Sequence, residues 1–89
     1  MSVFPGGSAY AMAHQIADGY LLVTERTFMR MQRPDLDKLN LEMDRLLREI
    51  RGEQPSLDDT IELQKRNRRI MRLTSGKSVL QSFRMKFKR

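Results

Sequence analysis

Cysteine and tryptophan are absent from this chain, and its 89 residues include only one histidine, three prolines, five glycines and six phenylalanines and tyrosines. Without cysteine there is no disulfide framework, no thiolate nucleophile and no thiolate metal site, a composition compatible with a reducing compartment. No apolar run approaches the roughly 18 residues of a membrane span. The first nine residues carry no positive side chain ahead of an apolar stretch, as a secretory leader would. The expectation is a cytoplasmic protein. Acid is the most unevenly missing component: from Leu63 to the end there are ten lysines and arginines and no aspartate or glutamate.

Up to Gly52, seven basic and seven acidic residues cancel, so the net charge of +6 is concentrated in the last third of the sequence. A one-signed segment of this kind is how a polyanion-facing surface is usually built. Leu, Ile, Val and Phe make up 22 of the 89 residues, above the roughly 20% below which high charge predicts disorder. A single domain of this size has a marginal core, and burial against a partner would add materially to it.

The punctuation divides the chain. Phe4-Pro5-Gly6-Gly7-Ser8 reads as a flexible leader over 1–8 with Ser8 as a helix cap. Ala13, Ile16, Ala17, Tyr20, Val23, Phe28 and Met31 fall near helical spacing and predict a first helix over 9–32, with Gly19 a weak point inside it. A short helix ended by Gly19, followed by an extended 20–31, is the competing reading. Helix is favoured because Tyr20-Leu21-Leu22-Val23 does not alternate apolar with polar. Arg33-Pro34 then stops the element. The second helix, over 35–51, is the clearest: Leu36, Leu39, Met43, Leu46 and Ile50 repeat at intervals of three and four, the seam of a heptad pattern. Two heptads are too few for a free-standing coiled coil, and Leu41, nearly opposite the seam, adds apolar surface that one facing helix would not cover. Both features argue for a bundle or an oligomer.

Gly52 and Pro55 mark a short turn into a third helix over 56–75, with acids in its first turn where the helix dipole favours them. The short connection makes the two helices antiparallel neighbours. On a helical wheel Leu63, Asn67, Ile70 and Thr74 share one face, with Met71 at its edge. Lys65, Arg69 and Arg72 lie opposite, flanked by Arg66 and Arg68. Asn67 reads either as a seam amide that fixes register or as a wet spot on that face. Thr74-Ser75-Gly76 is expected to end or bend the helix. The basic tail over 77–89 carries Lys77, Arg84, Lys86, Lys88 and Arg89, and its pattern fits a short helix through Leu80, Phe83 and Phe87 or an extended strand alternating Phe83, Met85 and Phe87 with cations.

Candidate chemistry fails on specific requirements. Gly76-Lys77-Ser78 matches the end of a phosphate-binding loop, but Met71 stands where that motif needs glycine, and no strand precedes it. His14 and Asp18 are four apart, yet a metal site needs three or four ligands and there is no second histidine. Asp35, Asp37, Asp58 and Asp59 sit at expected helix starts, where capping explains them. The sequence therefore predicts no catalytic residue, no metal and no cofactor.

The resulting expectation is an all-α small bundle built on an antiparallel helical hairpin, with a homo-oligomer or a helical protein partner covering its remaining apolar surface. Its pairing interface is Leu36, Leu39, Met43, Leu46, Ile50, Leu63, Asn67 and Ile70. Its polyanion-binding surface is Lys65, Arg66, Arg68, Arg69, Arg72, Lys77, Arg84, Lys86, Lys88 and Arg89. DNA or RNA backbone is the favoured partner. An acidic or helical protein, bound through the heptad and basic faces, is the alternative, and an anionic membrane surface ranks last.

Overall fold

The computed structural model describes residues 3–53, 56 and 58–86. It is all-helical, with α1 over Ala9–Ala17, a single 3-10 turn over Glu25–Phe28, α2 over Arg33–Gly52 and α3 over Thr60–Met85. Among the described residues no helix is long and apolar enough to cross a membrane.

The first helix is much shorter than its apolar spacing suggests. Ser8 caps it as expected, its hydroxyl accepting from the Ala11 N–H at 3.1 Å. It ends at Ala17 because Gly19 adopts φ +82°. The Gly19 N–H donates to Ile16 O and the Tyr20 N–H to Gln15 O, the paired bonds with which a left-handed glycine closes a helix. The following segment is extended. Tyr20 and Leu22 are 85% and 83% exposed, whereas Leu21 and Val23 pack against the core. The segment thus alternates in burial although it does not alternate in polarity, which is why the expected helix over 9–32 is wrong beyond Ala17. Phe28 and Met31, expected on that helix, reach the core from the 3-10 turn and the link after it. The leader is also drawn in: Phe4 packs against the core, and a turn joins the Gly7 N–H to Phe4 O at 2.9 Å.

α2 begins two residues earlier than expected, with Pro34 in its first turn and Asp35 Oδ2 accepting from the Gln32 N–H at 2.9 Å. Its heptad seam is closed within the chain, since Leu36, Leu39, Met43, Leu46 and Ile50 are all essentially buried, as is Leu47. Leu41 remains exposed. α1 and α3 together cover the seam, so its closure requires no second chain.

α3 departs most from expectation. It starts at Thr60, where Asp59 Oδ1 accepts from the Glu62 N–H at 3.1 Å. It then runs unbroken through Gly76 to Met85, so 77–85 is continuous helix, neither a separate short helix nor a strand. Expected features at Gln54, Pro55, Leu57, Phe87, Lys88 and Arg89 lie outside the described residues.

Gly76 does not end the helix because it serves packing. A Cβ there would stand 3.0 Å from Met43 Cε, 3.3 Å from Ile16 Cγ2 and 3.4 Å from Val23 Cγ2. The missing side chain lets α1, α2 and the extended segment converge on α3. Its buried residues are Leu73, Gly76 and Leu80, with Ile70, Val79 and Phe83 packed around them. Phe83 meets Phe28 with ring centroids 5.8 Å apart. The buried face is therefore rotated from the expected one: Leu63 and Ile70 are half-buried, and Asn67 and Thr74 are exposed. Asn67 is exposed, as the wet reading of that face has it, and does not sit in a seam between helices of this chain.

Candidate functional site

Rotation of α3 changes what its basic residues do. Being centred on Leu73, Gly76 and Leu80, the buried face brings Arg66, Arg69, Lys77 and Arg84 against its margins. Long cationic side chains at such margins lay their methylenes on apolar surface and send their charged ends to the neighbouring element. The side chains of Arg69, Lys77 and Arg84 are 27%, 19% and 29% exposed. The expected outward stripe opposite the apolar face is thus corrected: part of it is structural.

Two arginines finish the two preceding helices. Arg66 Nε donates to Ile50 O at 3.2 Å and Glu53 O at 3.1 Å, and its Nη2 to Arg51 O at 3.2 Å. Arg72 Nη1 donates to Ala17 O at 3.1 Å. Helix C-termini hold unpaired carbonyls and a partial negative charge, so a guanidinium satisfies both demands. Gly19 makes room for the second of these contacts, since a Cβ there would stand 3.0 Å from Arg72 Cζ.

Four further cations bind acids elsewhere in the fold. Arg69 Nε lies 3.2 Å from Asp18 Oδ1, an ionic contact without hydrogen-bond alignment. Lys77 pairs with Asp44, Arg84 with Asp37 at 2.8 Å, and Lys86 with Glu25 at 2.8 Å while also standing 5.7 Å from the Phe83 ring centroid. Along α2 the partners fall from Ile50 through Asp44 to Asp37 as those on α3 rise from Arg66 through Lys77 to Arg84. That order makes the hairpin antiparallel. Asp18 is turned to Arg69, and His14 packs in a tilted contact against Tyr10 with ring centroids 4.4 Å apart, so the two do not form the pair their spacing allowed.

This internal pairing leaves other cations free. Arg26, Arg30, Arg33, Lys38, Arg48, Arg51 and Arg68 are exposed and make no ion pair among the described residues. Free and paired cations then gather along two edges of α3. On one edge Lys65, Arg68, Arg69 and Arg72 line an open recess of about 200 Å³, with Asp18 as the one acid among the described residues lining it. Lys65 holds only an exposed contact to Glu62 at 3.5 Å. On the other edge, Arg48 and Arg51 of α2 join Lys77, Thr74, Ser78 and Gln81 of α3 around an open groove of about 620 Å³, where Asp44 is the one acid among the described lining residues. Arg48 and Arg51 were not among the expected site residues. Their sequence context, balanced by nearby acids, gave no signal, because Asp44 is committed to Lys77 only in the folded chain. Between the edges, Gln64, Asn67, Met71, Ser75 and Ser82 form an exposed and uncharged face.

No known protein family matches this chain, and neither does any curated protein or solved structure.

Proposed function

We propose that this protein is a non-catalytic helical module that binds the phosphate backbone of nucleic acid along the two edges of α3. The observation that carries this reading is the placement of cations that the fold leaves unpaired or only weakly engaged: Arg68 and Lys65 on one side, beside the Arg72 that also caps α1, and Arg48 and Arg51 on the other. α3 carries no acid after Glu62, and the acids at the two edges, Asp18 and Glu62 on one and Asp44 on the other, are already engaged by bases. Phosphate contacts of this kind position a ligand and contribute affinity without reading sequence.

Fluorescence anisotropy against labelled duplex DNA tests the proposal. About six phosphate contacts would make affinity fall roughly a thousandfold between about 50 and about 200 mM salt. Combined Arg48→Glu and Arg68→Glu substitutions should abolish that binding while leaving the circular dichroism spectrum intact. Absence of binding by the unaltered protein at low salt would overturn the proposal.

A second reading rests on a different observation. Ile16, Leu21, Leu22, Val23, Met71 and Val79 line an apolar groove of about 360 Å³ that adjoins the cationic edge at Arg72. Exposed apolar surface beside cations suits an acidic amphipathic protein segment. Under this reading Leu22→Ser, rather than the arginine substitutions alone, removes binding to a protein partner.

A further inference from the structure

We infer that α3 enters the major groove of duplex DNA with its uncharged face toward the base edges. This inference rests on the backbone-binding reading and goes beyond it by assigning sequence recognition to named side chains. Gln64, Asn67, Met71 and Ser75 follow one another at intervals of three and four, so they lie on one face of the helix, and all are exposed. No charged side chain occupies that face, and its apolar content is Met71, which with Ser75 borders the groove of Leu21, Leu22 and Val23. The cationic edges run on either side of it. A helix that meets a phosphate surface broadside would carry its cations at the centre of the exposed face. A helix seated between two phosphate rows carries them at its margins, as here.

The chemistry of the face fits base edges. The B-form major groove is about 12 Å wide and admits an α-helix. Asparagine and glutamine pair with adenine through its N6 and N7, serine serves either a donor or an acceptor, and an apolar side chain contacts the thymine methyl. Gln64, Asn67, Ser75 and Met71 supply these groups over residues 64–75, about 17 Å of helix. The preferred site is accordingly A·T-containing. The acids Asp58, Asp59 and Glu62 at the start of α3 repel phosphate, so the contact begins at Gln64 and not at the helix terminus. A-form RNA is disfavoured because its major groove is too narrow and deep for side chains to read.

The test is selection of duplexes from a randomised pool with the full chain, followed by anisotropy on the selected duplex, a scrambled duplex of equal length, and an RNA duplex. An enriched A·T-containing site is expected. Asn67→Ala should cut discrimination between selected and scrambled duplexes about fivefold or more, the value of one bidentate contact, and leave affinity for the scrambled duplex unchanged. Lys65→Ala combined with Arg68→Ala should instead weaken both duplexes alike. Binding without any enriched sequence, or discrimination untouched by Asn67→Ala and Gln64→Ala together, overturns the inference and leaves the backbone reading standing. RNA bound as tightly as DNA also overturns it. Failure to bind any nucleic acid overturns both.

Discussion

The second and third helices lie side by side from Ile50–Arg66 at one end to Asp37–Arg84 at the other, yet they are buried by different means. α2 commits six large apolar side chains, Leu36, Leu39, Met43, Leu46, Leu47 and Ile50. α3, six residues longer, commits only Leu73, Gly76 and Leu80. A glycine brings its backbone close, and cations reach from its margins to carbonyls and carboxylates of the other elements. Burial on α2 is thus a matter of apolar area, while attachment of α3 combines a small apolar strip with polar cross-links. A basic segment is therefore not automatically a binding surface. Where neighbouring helices present acids and unpaired carbonyls, part of the charge fastens the fold, and the unpaired surplus emerges on residues that looked balanced in sequence.

Substitutions that load the two helices differently test this contrast. Leu46→Asp places a carboxylate in the α2 seam, at a cost of several kcal/mol. Against a total stability of roughly 5–15 kcal/mol, the cooperative thermal transition followed by circular dichroism should be lost. Leu73→Ala should lower stability by about 2–5 kcal/mol in urea denaturation, whereas Asn67→Ala should stay within about 0.5 kcal/mol. The reverse order would mean that the buried face of α3 is the one centred on Leu63 and Asn67.

Gly76 separates close packing from helix breaking. Gly76→Val must displace Met43, Ile16 or Val23 and should be destabilising by about 1–3 kcal/mol. Gly76→Ala meets mainly the mobile end of Met43 and gains about 1 kcal/mol of helix propensity, so its melting temperature should stay near that of the parent. A rise in stability with valine would refute the packing role.

The polar fasteners carry smaller effects. Gly19→Ala forces a side chain into the left-handed region and against Arg72, and should lower stability by about 1–2 kcal/mol. Amide exchange at Tyr20 and Leu21 should speed up more than at the α2 core. Asp44→Asn should change stability by less than about 1 kcal/mol, as partly exposed ion pairs do. Its more telling effect should be tighter phosphate binding at the Arg48–Arg51 edge, because one local acid is gone. Arg69 and Arg72 serve the fold as well as the edge, so Lys65 and Arg68 are the cleaner positions for binding measurements.

Much of the architecture was legible in the sequence where one physical signal dominated. The three-four spacing from Leu36 to Ile50 located α2 and its buried face. Ser8 marked the start of α1, and the acid-rich turn before Thr60 marked the approach to α3. The reading failed where two signals competed. Gly19 and Gly76 look alike as weak points in helical runs, but one adopts a positive φ and ends a helix while the other stays helical and admits its neighbours. Tyr20 to Val23 are all apolar, so polarity could not show that alternate residues face outward. On the site, the basic character of α3 was plain, whereas the division of its cations between fasteners and free charge was not.

By itself the sequence determined a small helical chain with a strongly seamed second helix and a surplus of positive charge, because composition and periodicity act locally along the chain. Only the tertiary structure decided which face of α3 is buried and which cations remain unspent. Those outcomes depend on groups far apart in sequence, such as Arg72 with Ala17 or Lys86 with Glu25, and on the space that a missing Cβ leaves between three converging elements.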